Sequence, residues 1–459
     1  IGWAMPLWRP VPGRGLVPVP EGYAALGGTK GRFFWYERTF SVPENWRTRH
    51  LRLRCDYLDI EAECFLNGEY LGSFTLEQPE LPVDPARLRH GEPNRLSLRL
   101  FTRVNPSFSA ANGKCGITGD LYLESSESAP PIRDLWVKQA SGLTGVFDVQ
   151  LELVRGTGLS YEAEADILDS VGISRCRMAR RPAAERFSFT GKVADFRPWS
   201  PESPTLFTFR LRLYSRGRLV EERLQKFGFR TFETKGAHFL LNGKIFRFRT
   251  GMLTNPSKVI EPGRFRQLRK FGFNAIYFHA NEYGNNFPIF DLLDREGFVA
   301  IAPFDRAAPD GETAELVRRT RNHPSVVGYL SDQYGQLDIN GYIHDPFRTD
   351  DSYLPSGERA QTIFRLMTRR DELFRRLDPS RRYVAQATGN WPGFMRITHQ
   401  YATNGLNLSD RRRYQEPWAA RKNPQLPLYI FEAGVSNLLN FDTTHPDHTF
   451  EVLPQREPE

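Results

Sequence analysis

The sequence predicts a multidomain β plus α/β protein, in which two β-sandwiches precede an α/β domain. Two observations carry this prediction. Hydrophobic side chains alternate with a period of two through residues 33–123 and again through residues 132–230. Beyond Phe239 the rhythm changes, and short apolar runs alternate with amphipathic helical segments. We expect three domains, at residues 1–130, 131–235 and 236–459.

The first domain is predicted to be an all-β sandwich. Its alternating runs occupy residues 32–42, 51–58, 60–74, 94–101 and 119–125. Asn67-Gly68 is a typical tight-turn pair between two strands. Cys55 and Cys64 lie symmetrically about a possible turn and could face each other across a hairpin, but two small buried thiols are the favoured interpretation.

The second domain is predicted to be an immunoglobulin-like β-sandwich. About seven short strands separated by turn-rich breaks in roughly a hundred residues are typical of that fold. The apolar runs that indicate these strands lie at residues 134–139, 145–154, 160–168, 185–191, 207–214 and 219–229.

The third domain shows a repeat of strand and helix. Strand-like runs occupy residues 245–251, 274–280, 299–304, 326–332, 383–389, 397–403 and 427–434. Helices are predicted over residues 262–272, 287–297, 312–321 and 358–377, the last with an apolar stripe of Ile363, Leu366, Met367, Leu373, Phe374 and Leu377. Seven βα repeats predict a (β/α)8 (TIM) barrel. Since no eighth strand is apparent after Glu432, we expect the chain to be a fragment whose closing strand lies beyond Glu459.

Composition excludes several classes of function. The net charge is +8, but the arginines occur mostly in mixed-sign runs that indicate solvated helix faces, and no nucleic-acid-binding motif accompanies them. No window approaches eighteen apolar residues, so no membrane span is predicted. Four cysteines in 459 residues do not make a disulfide scaffold. No metal, nucleotide or flavin motif is present, and no cofactor is predicted.

The strongest functional signal is Glu432, the single carboxylate at the end of the apolar strand 427–434. A buried parallel strand delivers such a group to the carboxyl edge of the sheet, where barrel enzymes carry their chemistry. The alternative is a strand-end glutamate paired with a neighbouring arginine.

Three groups of segments resemble glycoside hydrolase family two, which includes β-galactosidases, β-glucuronidases and β-mannosidases. The N-terminal group resembles the jelly-roll domain of that family, the middle group its passage from an immunoglobulin-like domain into the barrel, and the last group its early barrel strands. These segments are WYERTFSVP, LDIEAECFLNGEYLGSF and GITGDLYL; FRPWSPESPTLFTFRLRL and FGFRTFETKGAHFLLNGK; and FGFNAIYFHA, FDLLDREGF and RNHPSVVGYLSD.

The resemblance implies a carbohydrate substrate and hydrolysis of a β-linked glycoside with retention of configuration. That chemistry needs two carboxyl groups roughly 5 Å apart, one as nucleophile and one as acid/base. Glu432 matches the nucleophile position, and Tyr401 matches a tyrosine that orients it. The alternative for Tyr401 is a structural role, as a core aromatic side chain at the rim of the predicted barrel. Relatives in bacteria are often extracellular or periplasmic, which is the localisation that the resemblance implies.

The acid/base position departs from the family pattern. Gln333 and Tyr334 stand where asparagine and the acid glutamate are expected, and a phenol is too weak an acid for efficient proton transfer at neutral pH. Asp332 is the nearest carboxylate and the leading substitute. Asp338 and Glu282 follow as alternatives.

Other residues at the predicted rim could bind sugar without reacting. His279 lies near a polar family position, Gln333 could donate to a sugar hydroxyl, and Trp391 offers a flat face for a pyranose ring or for core packing. Two other hypotheses remain open: a barrel that binds glycans without hydrolysis, and a hydrolase whose proton comes from a substrate carboxylate or a loop residue.

Overall fold

The structure is a computed structural model. It describes residues 3–8, 33–55, 62–75, 78–101, 121–126, 132–154, 160–253, 262–278, 288–304, 310–331, 358–385, 396–399 and 427–431. Mostly antiparallel sheets precede a mainly parallel α/β part, so the multidomain β plus α/β architecture is confirmed. Among the described helices, none combines the length and the apolar character that crossing a membrane requires.

The first β region consists of two four-stranded antiparallel sheets. One has the order β1-β8-β3-β6 and the other β2-β7-β4-β5, and their inward side chains form one shared core. Alternation explains this arrangement, because every second residue of β4 is buried. The strands are β1 (Trp3–Trp8), β2 (Phe33–Phe40), β3 (His50–Cys55), β4 (Ala62–Leu66), β5 (Glu69–Phe74), β6 (Glu80–Val83), β7 (Asn94–Phe101) and β8 (Leu121–Ser126).

The predicted turn between β4 and β5 is confirmed. Asn67 and Gly68 both have positive φ angles, 53° and 90°, as a two-residue hairpin turn of the primed type requires. The Asn67 side chain also accepts a hydrogen bond from the backbone N–H of Arg95 at 2.9 Å, which ties the turn to β7.

The two cysteines of this region are buried free thiols, as the favoured interpretation predicts. The hairpin between them is wrong: Cys55 ends β3 in one sheet, whereas Cys64 lies on β4 in the facing sheet. Burial, with a smaller contribution from the charge of Cys55, raises the pKa of Cys64 to about 12, so its thiol stays protonated and unreactive at neutral pH.

The second β region has seven strands in two sheets of three and four. Their orders are β13-β10-β9 and β12-β11-β14-β15, and a phenylalanine-rich core lies between them. The strands are β9 (Ile132–Gln139), β10 (Val146–Leu153), β11 (Tyr161–Leu168), β12 (Ser174–Ala183), β13 (Arg186–Lys192), β14 (Phe207–Ser215) and β15 (Arg218–Phe227). The sequence did not indicate β12, because this edge strand is mostly exposed and carries no alternating apolar pattern.

A small antiparallel sheet follows and corrects the predicted start of the α/β part. It comprises β16 (Phe232–Lys235), β17 (His238–Leu241) and β18 (Lys244–Phe246). The first parallel strand, predicted at residues 245–251, is therefore misplaced, because Asn242-Gly243 forms a tight turn with φ angles of 54° and 75° that folds β18 back on β17. The parallel strand is β19 (Thr250–Leu253).

Each of the seven predicted strand regions of the third domain overlaps a strand that pairs in parallel, although β19 shares only Thr250 and Gly251 with the first region. Five form one sheet in chain order, β19, β20 (Ala275–Phe278), β21 (Val299–Phe304), β22 (Val326–Ser331) and β23 (Arg382–Ala385). The other two, β24 (Arg396–His399) and β25 (Leu428–Phe431), pair with each other. The helices are α1 (Pro262–Lys270), α2 (Pro288–Glu296), α3 (Asp310–Thr320) and α4 (Glu358–Leu377). Closure into a barrel stays a prediction.

Helix α4 has the bounds that the sequence predicts. Of its predicted apolar stripe, Leu373 and Phe374 are buried and Leu377 packs against the same core. The side chains of Ile363, Leu366 and Met367 lie outside the described set. Phe374 stacks between the rings of Tyr329 and Tyr383, with centroid distances of 4.6 and 5.5 Å. The helix thereby covers β22 and β23.

Buried polar contacts join the second β region to the parallel sheet. The Asn322 amide donates to the Leu135 carbonyl and accepts from the Val137 N–H, both at 2.9 Å. Its side chain thus satisfies backbone groups of β9 in the way that the backbone of a neighbouring strand does. Trp199 is fully buried and donates its indole N–H to the Asp294 carbonyl at 2.8 Å. These contacts fix the base of β22 against the sandwich.

Candidate active site

The candidate site is the carboxyl edge of the parallel strands. The last residues of three neighbouring strands are level, because Phe304 pairs with Ser331 and Ser331 pairs with Ala385. In the separate pair, His399 is level with Phe431. The carboxyl ends of parallel strands define the edge of a sheet at which ligands of α/β proteins bind.

The predicted site residues all fall outside the described residues. Three of them follow a described strand directly: His279 follows β20, Asp332 follows β22 and Glu432 follows β25. β20 and β22 are two strands apart in one sheet, whereas Glu432 follows the other pair. The remaining predicted residues, which the structure likewise does not describe, are Gln333, Tyr334, Trp391 and Tyr401, with Asp338 and Glu282 as alternative acids.

The strand that leads to Asp332 is held by a buried aromatic and polar core. Tyr329 is fully buried in β22 and donates its hydroxyl to Asp378 at 3.2 Å. Burial, together with the negative charge of Asp378, raises the pKa of Tyr329. The phenol therefore remains a neutral hydrogen-bond donor.

Asp378 also forms a buried ion pair with Arg381, at 2.7 Å. The guanidinium continues to the carbonyls of Val326 and His323, so one arginine ties the loop before β23 to the start of β22. Burial would raise the pKa of Asp378, but the charge of Arg381 and hydrogen bonds from Ser380 and Arg381 outweigh it, so the pKa is lowered.

Sequence reasoning missed this pair, because it assigned the mixed-sign arginine runs to solvated helix faces, and Arg375-Arg376-Leu377-Asp378 is one of these runs. Arg375 fits that assignment, since it is exposed and pairs with Asp371 at 2.7 Å. Asp378 does not fit, because it is fully buried. The available signal was the sequence Asp-Pro-Ser, since the Asp378 carboxylate accepts from the Ser380 N–H at 3.0 Å in a typical Asx turn.

A second buried pair lies just before β22. His323 contacts Asp294 through Nδ1 at 2.6 Å, and the same carboxylate accepts from the Ser325 N–H at 3.0 Å. Asp291 offers a further carboxylate oxygen. Asp291, Asp294 and His323 each have one potential metal-ligand atom within 4.8 Å of those of the other two. Since Asp294 already binds His323 and Ser325, the arrangement fits a structural ion pair.

The pair predicts a pH dependence of stability. Burial would lower the pKa of His323, but the charge of Asp294, the hydrogen bond to it and the charge of Asp291 raise it above its ordinary value. The contribution to the unfolding free energy is therefore complete below the unfolded pKa of about 6.5 and is lost as pH rises through the folded value. We expect a melting temperature that falls over this interval, and a smaller fall in His323→Asn. Equal slopes for both proteins would contradict this expectation.

Comparison with known proteins agrees with this architecture. A family model described as glycosyl hydrolases family 2 matches residues 131–230, which contain strands β9 to β15. A β-galactosidase from Halalkalibacterium halodurans is 26% identical over 287 residues, covering 58% of this chain and 27% of the relative. A β-glucuronidase from Paenibacillus borealis is 25% identical over 373 residues, covering 68% of this chain and 61% of the relative.

The resemblance to glycosyl hydrolase family 2 is confirmed. The solved structure of a Bifidobacterium dentium β-glucuronidase complexed with coumarin-3-O-glucuronide has the same fold, with a TM-score of 0.72 at 18% identity over 94% of this chain and 83% of that chain. The chain spans between 27% and 32% of the length of three of its curated relatives.

The structure gives a physical role to one family 2 motif. Trp199, in WSPESP, packs its fully buried ring against the α/β part, and Gly228, in the FGFR segment, lies between Trp199 and Pro324. A Cβ atom on Gly228 would stand 3.0 Å from both neighbours, so a larger residue would force them apart. The motif therefore joins the sandwich to the base of β22.

Proposed function

We propose that this chain is a glycosidase that hydrolyses a β-linked glycoside with retention of configuration, with Glu432 as the nucleophile. The observation that carries the proposal is β25, a parallel strand that ends at Phe431, directly before Glu432. A carboxylate that follows a parallel strand stands at the edge where family 2 enzymes are expected to bind sugar. The confirmed resemblance to family 2 supports the same reaction.

Asp332 is the proposed acid/base. Support comes from β22, which ends at Ser331, so Asp332 is the first residue beyond the strand. The acid must hold its proton at working pH, through burial or through repulsion by the nucleophile. A retaining pair needs carboxyl groups about 5 Å apart. The assignment therefore requires this distance between the carboxyl groups of Glu432 and Asp332.

Sugar binding is assigned to polar and aromatic residues that follow the same strands. Tyr401 follows β24 by two positions, and β24 pairs with the strand before Glu432. We propose that Tyr401 orients the nucleophile and that the sugar contacts come from His279, Gln333, Tyr334 and Trp391.

We also propose the fold and the boundaries of each of the three domains. We assign residues 1–130 to a jelly-roll β-sandwich, 131–235 to an immunoglobulin-like β-sandwich and 236–459 to a TIM barrel. The substrate is a β-galactoside or a β-glucuronide, because the chain resembles a β-galactosidase and a β-glucuronidase. An extracellular or periplasmic location fits such a carbohydrate.

The acid/base assignment predicts a dependence on the leaving group. Nitrophenolate departs without a proton, whereas an alkoxide needs one. We expect Asp332→Asn to lower kcat/KM for a methyl β-glycoside by about a hundred-fold or more, and to change hydrolysis of the nitrophenyl β-glycoside far less.

The same assay tests the proposed function itself. Turnover of nitrophenyl β-galactoside or β-glucuronide by the unmodified chain supports hydrolysis. Binding of these compounds without turnover would instead favour a glycan-binding protein, the alternative that Gln333 and Tyr334 suggest. An equal loss for both leaving groups in Asp332→Asn would contradict its role as acid, and the same pair of substrates would then be applied to Asp338→Asn and Glu282→Gln.

A further inference from the structure

A cleft of about 640 Å³ lies between the second β region and the amino-terminal edge of the parallel sheet. One wall is β9 with the turn after it, and the other is formed by the loops that precede β22 and β23. Its volume is within the range of about 300–1,000 Å³ that is usual for small-molecule sites.

This cleft is separate from the candidate active site. Asn322, Pro324 and Ser380 line it, and they precede β22 and β23, whereas Asp332 follows β22. β22 has six residues, and at about 3.3 Å per residue the two edges are roughly 20 Å apart. A ligand in the cleft is therefore not the glycoside that is cleaved.

Basic groups predominate in the cleft. Asp148 and Glu233 are its acidic residues. Against these two, four basic side chains line the cleft: Lys138, Arg230, Arg321 and Arg381. Every nitrogen of the Arg381 guanidinium already donates a hydrogen bond within the chain, so the other three cations carry the donors that a ligand would meet.

Arg230 lacks a carboxylate partner within the described part of the chain. Its guanidinium donates to backbone carbonyls, from Nε to Pro324 at 3.0 Å and from Nη2 to Val326. Burial and the neighbouring charge of Arg381 lower the pKa of Arg230 to about 9, so the group is still a cation at neutral pH. A half-buried cation with only carbonyl partners is stabilised by an anion placed beside it.

Arg321 and Lys138 bring two more charges to the same place. The Arg321 guanidinium lies 4.6 Å from the centre of the Trp136 ring, and the Lys138 ammonium lies 5.5 Å from it. Arg321 is 7% exposed and pairs with Asp134, yet among the described residues nothing accepts a hydrogen bond from its buried Nε. Arg321 therefore keeps one donor without an acceptor at the wall of the cleft.

We propose that this cleft binds a small ligand through an oxyanion, a carboxylate or a phosphate, held by Lys138, Arg230 and Arg321. Guanidinium and ammonium groups form their strongest hydrogen bonds with these two kinds of anion. The cleft has room for a group of monosaccharide size beside the anion. Binding there is independent of the hydrolytic reaction proposed above.

Calorimetric titration of the full chain with three related probes tests this proposal. The probes are D-glucuronate, glucose 6-phosphate and glucose. We expect one or both acids to bind, with an affinity that falls as NaCl is added, and glucose not to bind. Lys138→Gln should weaken binding of the acid by about fivefold or more. Lys192→Gln, an exposed lysine on β13 outside the cleft, is the matched control and should leave the affinity unchanged.

Glu432→Gln separates this site from the candidate active site. Binding of the acid that survives in Glu432→Gln but weakens in Lys138→Gln supports the cleft. Loss of binding in Glu432→Gln would assign the ligand to the other edge of the sheet and overturn the proposal. It would also be overturned if neither acid bound, if glucose bound as well as the acids, or if Lys192→Gln weakened binding as much as Lys138→Gln.

Discussion

Replacing Glu432 with glutamine is expected to lower kcat for a nitrophenyl β-glycoside by at least about a thousand-fold. The amide has nearly the shape of the carboxylate but cannot attack the anomeric carbon. Because the activated leaving group needs no proton, this substrate isolates the nucleophilic step from the acid/base assignment. The measurement is release of nitrophenolate at saturating substrate.

Glu202→Gln is the matched control. Glu202 is an exposed glutamate in the turn that follows Trp199, and the same chemical change there should leave kcat unaltered. The far-ultraviolet circular dichroism spectra of the two variants should agree with that of the unmodified chain. If Glu432→Gln retained full activity, the nucleophile would be another residue and the resemblance would stand without this assignment.

Replacing Asp378 with alanine is expected to lower the free energy of unfolding by about 3–5 kcal/mol, the usual cost of removing one partner of a buried ion pair. The change leaves the Arg381 guanidinium buried without its carboxylate and removes the acceptor of the Tyr329 hydroxyl. Urea unfolding followed by circular dichroism measures the loss.

The matched control for this prediction is Asp310→Ala. Asp310 pairs with Arg369 at 2.8 Å and with Arg370 at 3.2 Å, but its side chain is 45% exposed. Solvent screens such a pair, so its loss should cost less than about 1 kcal/mol. Equal losses in Asp378→Ala and Asp310→Ala would show that the network beneath β22 contributes no more than a surface pair.

Local pattern predicted most of the elements. The apolar run 299–304 coincides with β21, and α4 has its predicted bounds because its length and apolar stripe leave few alternatives. The exceptions have identifiable causes. β12 lacks alternation because it lies at an exposed edge, and β18 was assigned to the parallel sheet because the Asn242-Gly243 turn was not recognised.

The sequence predicted that the candidate site lies at the ends of strands, but not its detailed geometry. A carboxylate that follows an apolar strand is visible in the sequence, and Glu432 was found in this way, whereas Asp332 was chosen as the carboxylate nearest to Tyr334. Which sugar fits depends on loop geometry, which no periodicity encodes. The roles of Glu432, Asp332 and Tyr334 stay predictions, and so do the domain boundaries.

Polar contacts that join distant parts of the chain were not predictable from the sequence. Asn322 bonds to Leu135 and Val137, and Arg230 bonds to Pro324. A charge run looks the same whether its members are solvated or buried, so only the Asp-Pro-Ser turn signal sets Asp378 apart from the exposed residues beside it. The packing of the sandwich against the sheet reveals the contacts of Asn322 and Arg230.

The central claim, a retaining β-glycosidase with Glu432 as nucleophile, is tested most directly by trapping the covalent intermediate. A 2-fluoro β-glycoside with a good leaving group forms the glycosyl-enzyme but hydrolyses slowly, because fluorine destabilises the oxocarbenium-like transition state. We expect mass spectrometry of the digested protein to find the sugar on the peptide that contains Glu432. A label on a different carboxylate, or no label on a chain that turns over the nitrophenyl glycoside, would contradict the account.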